Sequence, residues 1–379
     1  MQYPAKVTCS KGLSLIELLI AMVLGLSLAT GVMQLYVSNN TAERDQEARL
    51  RIQENGRFGL NFLGQEIRMA SYLGCLGAID GTTVNITLAS IPLAFQPQFG
   101  VQGFEAAGTD PSEINNSANN VAVVASNTAE WTTSGANVIP VVSAVPNSDI
   151  IRVWGADGSP GIVSAITPGV TPTMVVDTAM GLAANDFVLV SDCEQADIVQ
   201  ACTVTDNAPA LNSTISLSNT CTPGNTPSTP ISSEVPAEAV KLQGILFWVG
   251  KRGNVATNPP ALFRARLAAN GTAGVAEELI EGVESMQILY GESLDGDVRS
   301  TVDTYVPADQ VVNWLNVISV RISLLMQSVE DGSVPSPQSY TFNGVVYNGG
   351  AGNGSLPADD RVRRVFTSTI NLRNRALGI

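Results

Sequence analysis

Three groups of residues have types and spacings that could do chemistry. The first is Glu17, the single charge in an apolar run from Leu13 to Val37. A carboxylate inside such a run costs on the order of 3 kcal/mol in a membrane, so it calls for a partner. The nearest partner is a free amine made by cutting after Gly12, because Glu17 then lies about one helical turn from a new N-terminus at Leu13. The second group is five cysteines: Cys9, Cys75, Cys193, Cys202 and Cys221. There is no Cys-x2-Cys pair and no His, so disulfides are favoured over metal ligation. The third group is Asp295, Asp297 and Asp303, whose oxygens could hold Ca2+. They lack EF-hand spacing, and an acidic turn is the preferred reading, so no metal site is assigned.

Enzyme chemistry finds little support. The absence of His excludes a Ser–His nucleophile, and no Gly-rich phosphate loop is present. The pairs Glu277/Glu278 and Glu281/Glu284 are read as solvated surface carboxylates rather than acid–base groups. The chain is therefore expected to be non-catalytic and to need no cofactor. Its formal charge is −14, which repels phosphate backbones and argues against nucleic-acid binding.

The elements that position these residues follow in chain order. Residues 1–12 form a short polar leader containing Lys6, Cys9 and Lys11. Removing it leaves 18 basic against 34 acidic residues, a charge of −16, and four cysteines. Residues 13–37 form an apolar helix of roughly 38 Å, long enough for a bilayer core of ~30 Å. An ordinary secretory signal cut near Ser27-Leu28-Ala29 is the rival, but the run is too long for one and holds a Glu. A plain membrane anchor explains the length but leaves Glu17 and the Lys11-Gly12 junction unexplained.

Residues 38–72 continue as an amphipathic helix. Ile52, Gly56, Leu60, Leu63, Ile67 and Ala70 share one face, and Gly74 is the expected stop. Residues 73–379 then read as a β-rich domain. Its short runs include Ile150–Trp154, Asp186–Val190, Ala239–Val249 and Leu262–Leu267. Residues 104–138 read as a polar insertion, Thr222–Pro236 as an exposed linker, and Tyr340–Asn353 as a small hairpin. Val317–Leu325 alternates as a half-buried strand. The fold class expected is α+β, with the second half of the helix packed on a sheet.

Lys11-Gly12, an apolar residue, Glu17 at the fifth position after the cut and an unbroken apolar helix resemble the class III signal of type IV pilins and type II secretion pseudopilins. Later stretches extend the resemblance to PilW-type minor pilins and the related J-type pseudopilins. They are Ser191–Ile198, Leu279–Gly291, Trp314–Leu325 and Arg364–Asn374. The resemblance implies that a prepilin peptidase cuts after Gly12 and methylates Leu13. It implies that Glu17 pairs with the N-terminus of a neighbouring subunit. It further implies a single-pass inner-membrane protein with a periplasmic domain that initiates or caps a type IV pilus. The partners implied are the peptidase, membrane lipid, other minor pilins and the major pilin. A J-type pseudopilin and a membrane-anchored adhesin remain alternatives. Leu13 departs from the Phe or Met of many members, and the helix has no Pro.

An oxidising compartment suits the four remaining cysteines. Sequence alone permits three connectivities. Cys202 and Cys221 bracket a short strand pair, which favours a local bridge and leaves Cys75 for Cys193. The arginines Arg361, Arg363, Arg364, Arg373 and Arg375 are expected to balance the chain's own acid, with an acidic partner subunit as the alternative.

Overall fold

The computed structural model describes residues 14–72, 84–90, 95, 97–106, 144–145, 148–177, 180–226, 233–255, 257–267, 274–295, 301–332, 334, 336–350 and 355–376. It is an α+β protein. One helix, α1, runs without a break over Leu15–Met69, 55 residues or about 80 Å. The apolar and amphipathic halves read from the sequence are thus one rod. No Pro interrupts it, and its charged middle is laced by i,i+4 pairs, Arg49 with Asp45 and Arg51 with Glu47.

The helix stops earlier than Gly74. Ala70 turns extended at φ −58°, ψ 151° and bridges to Gly155, while the Ser71 N–H donates to the Trp154 carbonyl. Ser71 takes the positive φ of 61° expected of Gly74, which lies outside the described residues. The β-domain captures the chain end by backbone pairing, so no glycine cap is required there.

Two sheets meet the second half of α1. A twelve-stranded sheet is organised on the strand Ala237–Lys251. The first half of this strand pairs with Phe187–Ser191 and Gly161–Thr167. Its second half pairs with Ile150–Ala156 and Pro260–Arg266. A four-stranded antiparallel sheet runs in the order Thr304–Val306, Val283–Glu292, Val317–Gln327, Arg363–Asn371. The small hairpin is present as Tyr340–Phe342 and Val345–Tyr347.

A polar seam ties the sheets together. The Asp149 carboxylate accepts the Ile288 N–H at 2.7 Å, and its own N–H donates to the Met286 carbonyl at 2.8 Å. The Ser148 hydroxyl accepts the Met286 N–H at 3.0 Å. The bond to the Asp149 carboxylate is charge-assisted and buried, which places it among the stronger hydrogen bonds available.

Two readings need correction. Thr222–Pro236 is not simply an exposed linker, because Asn225 and Ser233 are buried. The Asn225 amide closes a pair of bonds with the Gln200 backbone at 2.7 and 2.8 Å, and Ser233 bonds Asp197 at 2.9 Å. Short polar side chains here replace missing sheet partners. Val317–Gln327 is buried on both faces rather than half-buried. Its polar residues are covered: Ser319 meets the Tyr305 hydroxyl at 2.9 Å, and the Arg321 guanidinium lies 3.9 Å from the Tyr305 ring centre. Of the polar insertion read at 104–138, residues 104–106 are buried, with Phe104 ending the strand Val101–Phe104, and 107–138 lie outside the described residues.

Candidate assembly site

The exposed end of α1 begins with a helix cap. Ser14 is extended at φ −73°, ψ 148°. Its hydroxyl accepts the Glu17 N–H at 3.3 Å, and the Glu17 carboxylate accepts the Ser14 N–H at 3.0 Å. This reciprocal box satisfies two donors that a helix start leaves unpaired. Glu17 therefore has a local role, and its negative charge also suits the positive end of the helix dipole. Gly12 and Leu13, the expected cut and methylation positions, lie outside the described residues.

Beyond the cap, the apolar half of α1 is bare. Its most apolar window has a mean hydropathy of 2.2 and no residue buried against the rest of the protein. Leu15, Leu26, Leu28 and Leu35 stand free of contacts that would cover them. The helix is long and apolar enough to cross a membrane. A Cβ at Gly25 or Gly31 would meet only open space.

The second half of α1 is the opposite case. Ile52, Leu63 and Ile67 are buried, contributing ~5–9 kcal/mol in transfer terms before chain ordering is counted. Gly56, Gly59 and Gly64 lie on the same surface. Side chains from the sheets crowd the space a Cβ would take at two of them, Phe366 at Gly56 and Ile280 with Leu324 at Gly59, while at Gly64 a Cβ would meet Ile370 in ordinary contact. On the other flank Phe62 meets Phe247 edge-on at 6.1 Å, under the Arg264 guanidinium. One half of the helix is thus fixed by packing while the other projects.

The docked sheet is pinned by ion pairs. Arg363, whose side chain is only 4% exposed, holds Glu284 at 2.7 Å and Asp359 at 2.5 Å. Glu277 and Glu278 are likewise engaged, by Arg264 and Arg252. Three of the four carboxylates named as acid–base candidates are therefore structural partners of arginines. Hydrogen bonds from Arg363 hold the Asp359 carboxyl below its ordinary value of 3.8. A depressed folded value means the stabilisation is complete above pH 3.8 and is lost as pH falls through the lower folded value. Asp359→Asn should cost about 1 kcal/mol in urea unfolding at pH 7. The loss should shrink below pH 3, and a loss equal at both pH values would contradict the pairing.

The remaining candidates separate. Cys202 and Cys221 are bridged, with Cα atoms 5.1 Å apart, closing the hairpin region Thr203–Ser216. Cys193 is also in a disulfide; its expected partner, Cys75, lies outside the described residues. Asp295 accepts the Ser293 hydroxyl at 2.6 Å and Asp303 the Leu294 N–H at 2.8 Å. Both aspartates serve turn geometry, and Asp297 lies outside the described residues. Among the described residues no group of three metal-ligating side chains forms.

Residues 246–374 match the family model described as type IV pilus-assembly protein W. This region is similar to the PilW family. The match ties the chain to type IV pilus assembly and includes the four-stranded sheet that receives α1. It begins inside the Ala237–Lys251 strand, so much of the twelve-stranded sheet precedes the PilW-type region. No curated protein and no solved structure matches the chain significantly.

Sequence reasoning missed the Ser14–Glu17 box, although Ser-x-x-Glu before an apolar run is its signature. It also missed Gly59 and Gly64 as docking positions, which their spacing from Gly56 offered.

Proposed function

We propose that the chain is a minor pilin: a non-catalytic, membrane-inserted subunit that helps initiate or cap a type IV pilus. The observation that carries this reading is α1 itself. One continuous rod has a docked half on a PilW-type sheet and a bare apolar half that needs lipid or other helices around it. Before assembly the apolar half sits in the inner membrane, with the β-domain in the periplasm. On assembly it leaves lipid for a bundle of neighbouring helices, and Glu17 meets a neighbour's N-terminal amine. The prepilin peptidase supplies that amine by cutting after Gly12 and methylating Leu13.

The large β layer that precedes the matched region supports a place at the tip or in an initiation complex, where bulk is tolerated, over a place along a thin shaft. Mass spectrometry of the mature protein tests the reading. The N-terminus should be Leu13, carrying one methyl group. An N-terminus at Thr30 would instead mean an ordinary signal peptide, and the pilin reading would fall.

A further inference from the structure

The two sheets end in several open edges, and their treatment differs. Val84–Ile86 and Thr304–Val306 are three residues each, and Thr203–Asp206 and Val101–Phe104 are four. Glu277–Glu281 carries acid at both ends. Short or charged edges of this kind resist pairing with other chains. Arg363–Asn371 is different. It is nine residues long, pairs in unbroken register with Val317–Gln327, and contains no Pro, Gly or Lys. Its other side has no backbone partner among the described residues. Val365, Phe366, Thr367, Thr369 and Ile370 give it strong β-propensity.

The charge around this edge points to what covers it. Arg361 and Arg363 are consumed internally, by Asp359, Glu284 and the Ser328 carbonyl. Arg364 at the start of the strand and Arg373 just past its end are exposed and make no ion pair among the described residues. The Arg364 guanidinium lies 5.6 Å from the Phe366 ring centre. On α1, Arg57, Gly64 and Arg68 fall on one side at helical spacing, and Gly64 faces Ile370 of the strand. In a chain of net charge −14, four exposed arginines therefore flank one unprotected edge.

We propose that the Arg363–Asn371 edge is a docking site for an extended segment of a different protein, added as a fifth strand and carrying carboxylates near both ends. A second copy of this chain fits poorly. Antiparallel self-pairing sets the Arg363–Arg364 end of each strand beside Arg373 of the other, and parallel pairing sets Arg364 beside Arg364. Backbone bonds along the edge supply affinity, and the flanking arginines select acid over base. Neither Glu17 nor the apolar half of α1 enters, so the docking site stands or falls separately from the pilin reading.

The test uses the full chain in detergent and fluorescence anisotropy with three labelled probes. Each probe has seven alternating Val and Thr residues. One is flanked by two Glu at each end, one by two Lys, and one is the Glu form N-methylated throughout. The Glu probe should bind at least tenfold tighter than the Lys probe. Arg364→Glu with Arg373→Glu should erase that preference, because Arg57 and Arg68 then balance the two new carboxylates, and Arg364→Gln with Arg373→Gln should reduce it severalfold, which keeps the test open if the first pair misfolds. The N-methylated probe, which keeps its charge but cannot form the ladder, should lose binding. Equal binding of Glu and Lys probes, full binding of the methylated probe, or no binding of the Glu probe would each overturn the proposal. So would a homodimer trapped in high yield through Thr369→Cys.

Discussion

Glu17→Gln is expected to abolish surface piliation while leaving the protein cut and inserted in the membrane. Gln at this position still accepts the Ser14 N–H, so the cap that the structure displays survives the change. Only the charge is lost. A neutral side chain is also cheaper in lipid, so insertion should hold or improve. What fails is assembly, because a neighbour's N-terminal amine then enters a low-dielectric core without its counter-charge. Breaking a buried pair in this way costs on the order of 3–5 kcal/mol. Glu17→Ala should behave like Gln, and Glu17→Asp should retain partial function, since it keeps the charge with one methylene less reach. Ser14→Ala makes the reverse cut: it removes the hydroxyl's half of the cap, about 1 kcal/mol, and should leave piliation largely intact. Immunoblots of processed protein beside counts of surface pili separate these outcomes. Wild-type piliation by Glu17→Gln would leave the cap as the whole explanation of this carboxylate.

The second large effect is expected at the helix–sheet contact. Gly56→Leu should destabilise the protein by ~2–3 kcal/mol or more. A Cβ alone at this position falls 2.5 Å from Phe366 Cε2, and the rest of a leucine side chain has nowhere to go but into the sheet. Gly64→Ala should act in the opposite direction. Its Cβ meets Ile370 at 3.7 Å, ordinary contact, and replacing Gly by Ala within a helix favours the helix by up to ~1 kcal/mol. Thermal unfolding of the full chain in detergent should show a fall in one case and a rise in the other. If Gly56→Leu melted with the wild type, α1 would not be seated on Phe366 as described.

Much of this arrangement was legible in the sequence, and the reasons are physical. An uninterrupted apolar run and the three-and-four spacing of Ile52, Leu63 and Ile67 are local signals, so the rod and its docking face could be read directly. The strands Ile150–Ala156, Phe187–Ser191 and Pro260–Arg266 were also visible, because buried strands are continuous apolar runs. What escaped reading depends on distant partners. Met69 ends α1 because Ala70 pairs with Gly155, and nothing near Met69 announces that. The burial of Asn225 and Ser233 depends on Gln200 and Asp197, twenty-five and thirty-six residues away. Val317–Gln327 alternates like a half-buried strand, yet Tyr305 and Thr367 cover its polar side. At the helix start the signal is local, since Ser14-x-x-Glu17 spells a capping box, but the same carboxylate also suits a partner outside the chain.

The strand Ala237–Lys251 has a mechanical consequence. Its fifteen residues span about 50 Å, and its two ends belong to different neighbourhoods of the large sheet. Ile245 to Lys251 pairs with Pro260–Arg266, and that strand in turn meets Glu277–Glu281 beside the helix. Tension applied to the first half of this strand therefore reaches the strands beside α1 along one covalent backbone, braced by a hydrogen-bond ladder on at least one side along its length. Such ladders, loaded along the strand, must slip many bonds at once rather than open one by one. A pull along the strand is thus passed to the strands that seat α1.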